Sequence, residues 1–507
     1  MNIKQAKQEI QNTLLAYLSK DELGNYRIPT VRQRPVLLMG PPGIGKTQIM
    51  AQIAAETGVG LVAYTITHHT RQSAIGLPFI QQRTYGDQTF SVTEYTMSEI
   101  LASVYDLMEN TGIKEGILFL DEINCVSETL APMMLQFLQC KTFGNQALPE
   151  GWLIVAAGNP PEYNKSVRDF DVVTLDRVKR MDVTEDFAVW KEYARNKGIH
   201  GAVISYLDIK KEHFYHIETT VDGLQFATAR GWEDLSELIF AYEALNLKVD
   251  REVVGQYIQL PRIAKDFANY LELYYKYRRI YHVDDILRGQ WQAITVSELR
   301  AAPFDEKLSV MGLLLSRLSE SAKQVRLQDE LTSALHTALK TFKQAIATHP
   351  PRQVLEQLAA GKQAALKMAK DAGQLDKERR DLATRELNAL QDYRSHLVDE
   401  DISDQDAFEA VKGWFGGEVA RRKTLAQDCA AMLDNAFAFL EQTFSQGQEL
   451  AMFVTEITAG FDTSWFVENF GCEAYFRHNK ELLFDETQNR IREQIAAAKA
   501  AQQEEQL

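Results

Sequence analysis

Residues Gly40-Pro41-Pro42-Gly43-Ile44-Gly45-Lys46-Thr47 have the spacing G-x-x-x-x-G-K-[ST]. They follow the apolar run PVLLM and open a helical stretch that begins at Gln48. Glycines at these positions let the backbone turn successive N–H groups inward, and the following helix presents the positive end of its dipole. Such a loop cradles the phosphates of a nucleoside triphosphate. Lys46 would reach the β- and γ-phosphates, and the Thr47 hydroxyl would bind Mg²⁺. Together, Gly40 to Gln48 form the expected nucleotide-binding segment.

Downstream, Gly116-Ile-Leu-Phe-Leu-Asp121-Glu122 is an apolar run ending in two acids. A buried parallel strand places its last residues at the carboxyl edge of the sheet, where open α/β folds bind ligands. There Asp121 would hold Mg²⁺ through its hydration shell. Glu122 would polarise the water that attacks the γ-phosphate. Taken alone, an apolar strand followed by Asp-Glu also suits an ordinary solvated strand end; the phosphate loop upstream, in the correct chain order, favours the chemical reading.

The elements that must position these groups are legible as a βαβ alternation. The runs PVLLM (35–39), LVAYTI (61–66), GILFL (116–120), WLIVAA (152–157) and KRMDV (179–183) are strand-length, apolar and separated by helical pattern. This predicts an α/β fold with a doubly wound parallel sheet. After about residue 185 the strands are expected to stop. Helical pattern continues through AVWKEYARNKG, GWEDLSELIFAYEAL and a long C-terminal stretch. In it, Leu327, Leu331, Leu335, Leu339, Phe342 and Ile346 recur every three or four residues along one face. The predicted division is an N-terminal helix and linker (1–30), an α/β core (31–185), an all-helical lid (186–280) and a mainly helical C-terminal extension (281–507).

Composition narrows the functional classes. Hydrophobic residues are 45% and charged residues 25%, the balance of a folded globular chain. No run is long enough to span a bilayer, and the polar N-terminus lacks a signal-peptide pattern, so a cytoplasmic location is expected. The four cysteines are scattered and without metal-ligand spacing, and the histidine pairs His68-His69 and His213/His216 lie beside no matching ligand. Net charge is −15; residues 1–185 carry 16 Lys+Arg against 20 Asp+Glu, leaving about −11 for the rest. Nucleic-acid binding requires cationic surface that releases condensed counterions, and neither part of the chain is basic overall.

GPPGIGKT, ILFLDEIN and the later strand ending in AAGNP resemble the motifs of the AAA+ ATPases, and within them the MoxR branch. The resemblance covers about residues 30–275. It implies a P-loop AAA+ core with ATP and Mg²⁺ as cofactors, and a homo-oligomeric, six-membered ring. Asn159, in AAGNP, resembles sensor 1, whose amide can donate to the γ-phosphate and accept from the attacking water. A turn residue in Gly-Asn-Pro is the plainer alternative. Thr174-Leu-Asp-Arg177-Val-Lys-Arg180 resembles the stretch whose arginine projects into a neighbouring subunit's nucleotide; Arg177 is the first choice, with Arg180 and Arg168 as alternatives. The family usually has Phe where this chain has Val178. Arg230, at the start of a lid helix, resembles sensor 2. Residues 67–98, with Ser73-Ala-Ile-Gly-Leu-Pro-Phe-Ile80, resemble an insert that faces the ring pore, where Leu77 and Phe79 would meet a polypeptide client; a loop packed on its own sheet is the other reading.

The resemblance also implies a partner bearing a von Willebrand factor A domain, for which the C-terminal extension would be a docking arm. The leading expectation is an ATP-hydrolysing ring that remodels or matures a protein complex. A nucleic-acid translocase and a nucleotide-gated scaffold are the alternatives. The first would need a basic module, and the second should lack Glu122 or the trans-acting arginine.

Overall fold

The computed structural model describes residues 1–68, 76–143, 146–163, 167, 170–220, 223–372, 377–445 and 447–480. The expected strands all form: β1 (Val36–Met39), β2 (Gly60–Thr65), β5 (Gly116–Asp121), β8 (Trp152–Gly158) and β9 (Lys179–Asp182). They make one five-stranded parallel sheet in the order β2-β5-β8-β1-β9. Alternate residues serve opposite faces, as the two-residue period of a strand requires. On one face Val36, Leu38, Ile117, Phe119, Leu153 and Val155 pack against the helices Ile3–Leu18 and Lys46–Thr57. On the other, Leu37, Leu118, Leu120 and Ile154 pack against Ile100, Leu101 and Val104 of helix Glu99–Thr111 and Phe137 of helix Ala131–Cys140. Apolar contact on both faces is why these strands read as unbroken apolar runs.

Among the described residues, three two-stranded pairs lie outside this sheet, two of them close in sequence to its strands. β3 (Pro78–Tyr85) and β4 (Gln88–Tyr95) form an antiparallel hairpin between β2 and helix Glu99–Thr111. It is solvated on both faces: Ile80 is 75% exposed, and Leu77, Phe79, Tyr85 and Phe90 are also exposed. The excursion is therefore a projecting hairpin and is not packed on the sheet. Ser73, Ala74 and Ile75 of the segment singled out above lie outside the described residues. β6 (Thr142–Phe143) and β7 (Gln146–Ala147) also pair antiparallel, and Gly144 and Asn145 between them lie outside the described residues.

The chain groups into two compact units. The first joins Met1–Val189 to Arg352–Ser395, and the second joins Trp190–Pro351 to the chain from His396 on. Residues 352–395, a run within the expected C-terminal extension, thus return to the first unit. Ala372 O accepts from Leu61 N at 3.3 Å, and Arg379 Nη1 donates to Ala55 O at 3.3 Å. Leu61 is on β2, an edge strand whose outward N–H would otherwise need solvent.

The second unit is helical, with one correction to the expectation that strands stop after 185. β10 (His216–Thr220) and β11 (Gly223–Ala227) form an antiparallel hairpin. Its β-branched residues Ile217, Thr219 and Thr220 are a local strand signal that outweighs the helical surroundings. Elsewhere in this unit a 42-residue helix, Phe304–Ala345, packs on Ala407–Phe444, and Arg326 Nε donates to Asp462 Oδ1 at 2.6 Å in a buried pair. No helix among the described residues is long and apolar enough to cross a membrane.

Lys141 is the costly residue of the first unit. It ends helix Ala131–Cys140 in a left-handed conformation (φ 56°) and is 6% exposed, and its Nζ donates to Gln33 Oε1 at a long 3.5 Å. Burial pushes its ammonium pKa down to about 8. Below pH 8 the folded unit therefore carries the full penalty of a buried cation. The penalty is relieved between pH 8 and the ordinary lysine range, where the unfolded chain binds more protons. Lys141→Met is expected to raise stability by roughly 1–3 kcal/mol at pH 7, and by little at pH 10. Thermal unfolding of both proteins at the two pH values checks it; an equal gain at both would count against this account.

Candidate functional site

Strand order places the chemistry. β8 lies between β1 and β5, so the residues just past β1, β5 and β8 meet at one edge of the sheet. These are the phosphate loop, Asp121-Glu122 and Asn159.

The loop needs its glycines. Gly43 and Gly45 have φ of 76° and 94°, in the left-handed region that side chains avoid. A Cβ on Gly40 would come within 2.5 Å of Val183 O, so the backbone there approaches β9's exit too closely for any side chain. Pro41 is buried, Pro42 half-buried, and Ile44 packs on the core beneath the sheet. Thr47 and Gln48 in the first helical turn are exposed.

Lys46 is buried, and its Nζ donates to Gly40 O and Pro41 O at 2.7 Å and to Asn159 Oδ1 at 2.9 Å. The ammonium is thus aimed across the loop and joined to the residue expected to sense the phosphate. Thr47 Oγ1 donates to Asp121 Oδ2 at 2.7 Å. A hydroxyl beside a carboxylate is a hard oxygen donor set. That suits Mg²⁺, which keeps several waters and takes few protein ligands alongside substrate phosphates. No cluster of three or more His, Cys, Asp or Glu that could hold a metal occurs among the described residues.

Glu122 has φ 57°, left-handed in a residue that has a Cβ. Such strain persists where the surroundings over-determine it and concentrates at functional sites. Here Glu122 N donates to Asp121 Oδ1 at 2.9 Å, Cys125 N donates to Glu122 O at 2.9 Å, and Thr67 Oγ1 donates to Glu122 Oε2 at 2.8 Å. Thr67 is a site residue that the sequence does not mark. It follows β2, the neighbour of β5, and only the strand order brings it to the acid. Asn124 is another: its Nδ2 donates to Asn159 O at 2.8 Å.

The arginines fall in different places. Arg177 follows the short helix Val172–Leu175, which is capped by Asp171 accepting from Thr174 N at 2.7 Å. Those Thr174 bonds, and then the Arg177 charge, hold the Asp171 carboxyl below its ordinary range. Arg177 is exposed and its Nη1 donates to Gln139 Oε1. The next residue, Val178, is buried in the core under Phe137 and Leu138, so a smaller side chain than the family's Phe still anchors this turn. Arg180, on the edge strand β9, pairs with Asp182 of its own strand at 2.9 Å. Arg168 lies outside the described residues. Arg230 is exposed in the first turn of helix Ala229–Ala244 in the second unit, after an N-cap in which Thr228 Oγ1 accepts from Gly231 N at 3.2 Å.

A parallel sheet with a phosphate loop after β1, an acid pair after β5 and an amide after β8 defines a P-loop nucleotide-binding domain of the AAA+ class. Residues 35–178 match the family model of the AAA domain, dynein-related subfamily. The matched region runs from β1 to the Arg177 turn and so contains the loop, the acids and Asn159. Comparison with curated proteins finds no match.

Proposed function

We propose that the chain is a Mg²⁺-dependent ATP hydrolase of the MoxR-like AAA+ type that works as a homo-oligomeric ring, a hexamer by resemblance, in the cytoplasm. The observation that carries this reading is the pairing of Lys46 with Asn159 at 2.9 Å and of Thr47 with Asp121 at 2.7 Å, both at one sheet edge. Lys46 and the loop N–H groups bind the phosphates. Thr47 and Asp121 would hold Mg²⁺, which when bound neutralises charge on the β- and γ-phosphate oxygens. Glu122 takes a proton from the attacking water as its oxygen bonds to the γ-phosphorus and the bond to the β-phosphate oxygen breaks. Asn159 orients that water, and Arg177 of one copy stabilises charge in the site of the next. Arg230 would report nucleotide state to the lid.

The biological task that fits is remodelling of a protein complex, with a von Willebrand factor A domain protein as the partner class the resemblance implies. The projecting β3–β4 hairpin supports a polypeptide client, since Leu77, Phe79 and Ile80 are exposed on it. A nucleic-acid translocase fits less well with a net charge of −15. Phosphate release from ATP and from GTP by the full chain, with and without Mg²⁺ and duplex DNA, tests the reading. Mg²⁺-dependent ATP turnover indifferent to DNA is expected. GTP preference with DNA stimulation would favour the translocase, and no turnover under any condition would favour a scaffold.

A further inference from the structure

We infer that Asn124 is a positioning residue that locks the turn bearing Glu122 onto the strand end bearing Asn159; the inference rests on the ATP-hydrolysing reading above. Asn124 is 2% exposed, three residues beyond the end of β5. Its Nδ2 donates to Asn159 O at 2.8 Å, while the preceding Ile123 N donates to Ala157 O at 2.9 Å. These two bonds stitch the turn to the exit of β8 on either side of Gly158. Within the turn, Cys125 N closes on Glu122 O and Glu122 takes its left-handed conformation. Beyond the Asn124–Asn159 bond, the side chain of the same Asn159 accepts from Lys46. One buried amide therefore links the residue that takes the proton to the residue that orients the water and touches the phosphate-binding lysine.

Two further observations separate this from simple packing. The Asn124 Oδ1 is buried and has no hydrogen-bond partner among the described residues. An unpaired buried acceptor costs stability, and an aliphatic side chain of similar size would avoid that cost. The amide is thus useful here for its donor, the N–H₂ on Asn159 O. In addition, a Cβ at position 158 would lie 2.6 Å from Oδ1 and 2.9 Å from Cγ. Gly158 is what lets the amide reach across β8 at all.

Reacting groups held by a short rigid link lose turnover when the link goes, because small displacements of a positioned base are costly in rate. Asn124→Asp keeps the shape but, as a carboxylate, has no proton to give Asn159 O. Once protonated, its O–H can donate again, and burial raises a carboxyl pKa. Turnover of this variant at pH 8 is expected to fall about ten- to hundredfold, with binding of a fluorescent ATP analogue within about twofold of wild type. Its activity relative to wild type at the same pH should climb as pH is lowered toward 6. Asn124→Leu removes both the donor and the unpaired oxygen; it should bind the analogue normally, melt close to wild type, and stay slow at every pH. It keeps the test open should the aspartate variant not fold.

Variants within about twofold of an active wild type would overturn the inference, as would loss of nucleotide binding in step with turnover and no recovery in acid. A wild-type chain with no Mg²⁺-dependent turnover would instead overturn the functional reading beneath it.

Discussion

A chain carrying Glu122→Gln is expected to bind ATP as the wild type does and to hydrolyse it at least about a hundredfold more slowly. Glutamine matches glutamate in size, and its amide oxygen can still accept from Thr67 Oγ1, the contact seen at 2.8 Å on Glu122. The left-handed turn and the Thr47–Asp121 pair are therefore left in place. What disappears is the carboxylate proposed to take the proton from water. Single-turnover phosphate release measured beside equilibrium nucleotide binding separates the two effects. A variant that still turns over at the wild-type rate would remove Glu122 from the chemistry. One that loses binding would place it in the cradle instead.

The second large effect is expected at Arg177. It is exposed at the end of a capped turn anchored by buried Val178, where its Nη1 donates to Gln139 Oε1 and its charge acts on Asp171. If it completes the site of an adjoining copy, Arg177→Ala should lower turnover by about 10³–10⁵ while nucleotide binding changes little. The same substitution at Arg180 should have a much smaller effect, because that side chain pairs with Asp182 on its own strand. The ratio of turnover to binding across the two variants decides between them.

Much of this site is legible in the residues because its parts are local. A phosphate loop works through consecutive backbone N–H groups, so its glycines and lysine keep a fixed spacing. The strands that carry it are buried on both faces and read as apolar runs. Asp121 and Glu122 are recognisable because they end such a run. Thr67 and Asn124 are not recognisable in that way. A threonine after a strand and an asparagine after an acid pair are ordinary residues, and each gains its meaning from a partner 55 or 35 positions away.

The fold shows the same division. The β3–β4 hairpin is solvated on both sides, so it lacks the alternation that burial imprints on a strand. The return of residues 352–395 to the first unit rests on bonds such as that between Leu61 and Ala372, which no local pattern encodes. The β10–β11 hairpin was within reach of the sequence through the β-branched residues Ile217, Thr219 and Thr220, but long helical stretches on either side mask so short a signal.

The central claim is that each nucleotide site is completed by a second copy of the chain, and mixing two inactive variants tests it most directly. Glu122→Gln lacks the base but keeps Arg177; Arg177→Ala lacks the arginine but keeps the loop, the acids and Asn159. In a randomly mixed ring with head-to-tail contacts, about one junction in four pairs an intact base with an intact arginine. ATP turnover in an equimolar mixture is expected to rise toward that fraction of the wild-type rate, although each variant alone is nearly silent. A mixture no more active than its components, or an Arg177→Ala chain that hydrolyses ATP unaided, would contradict it.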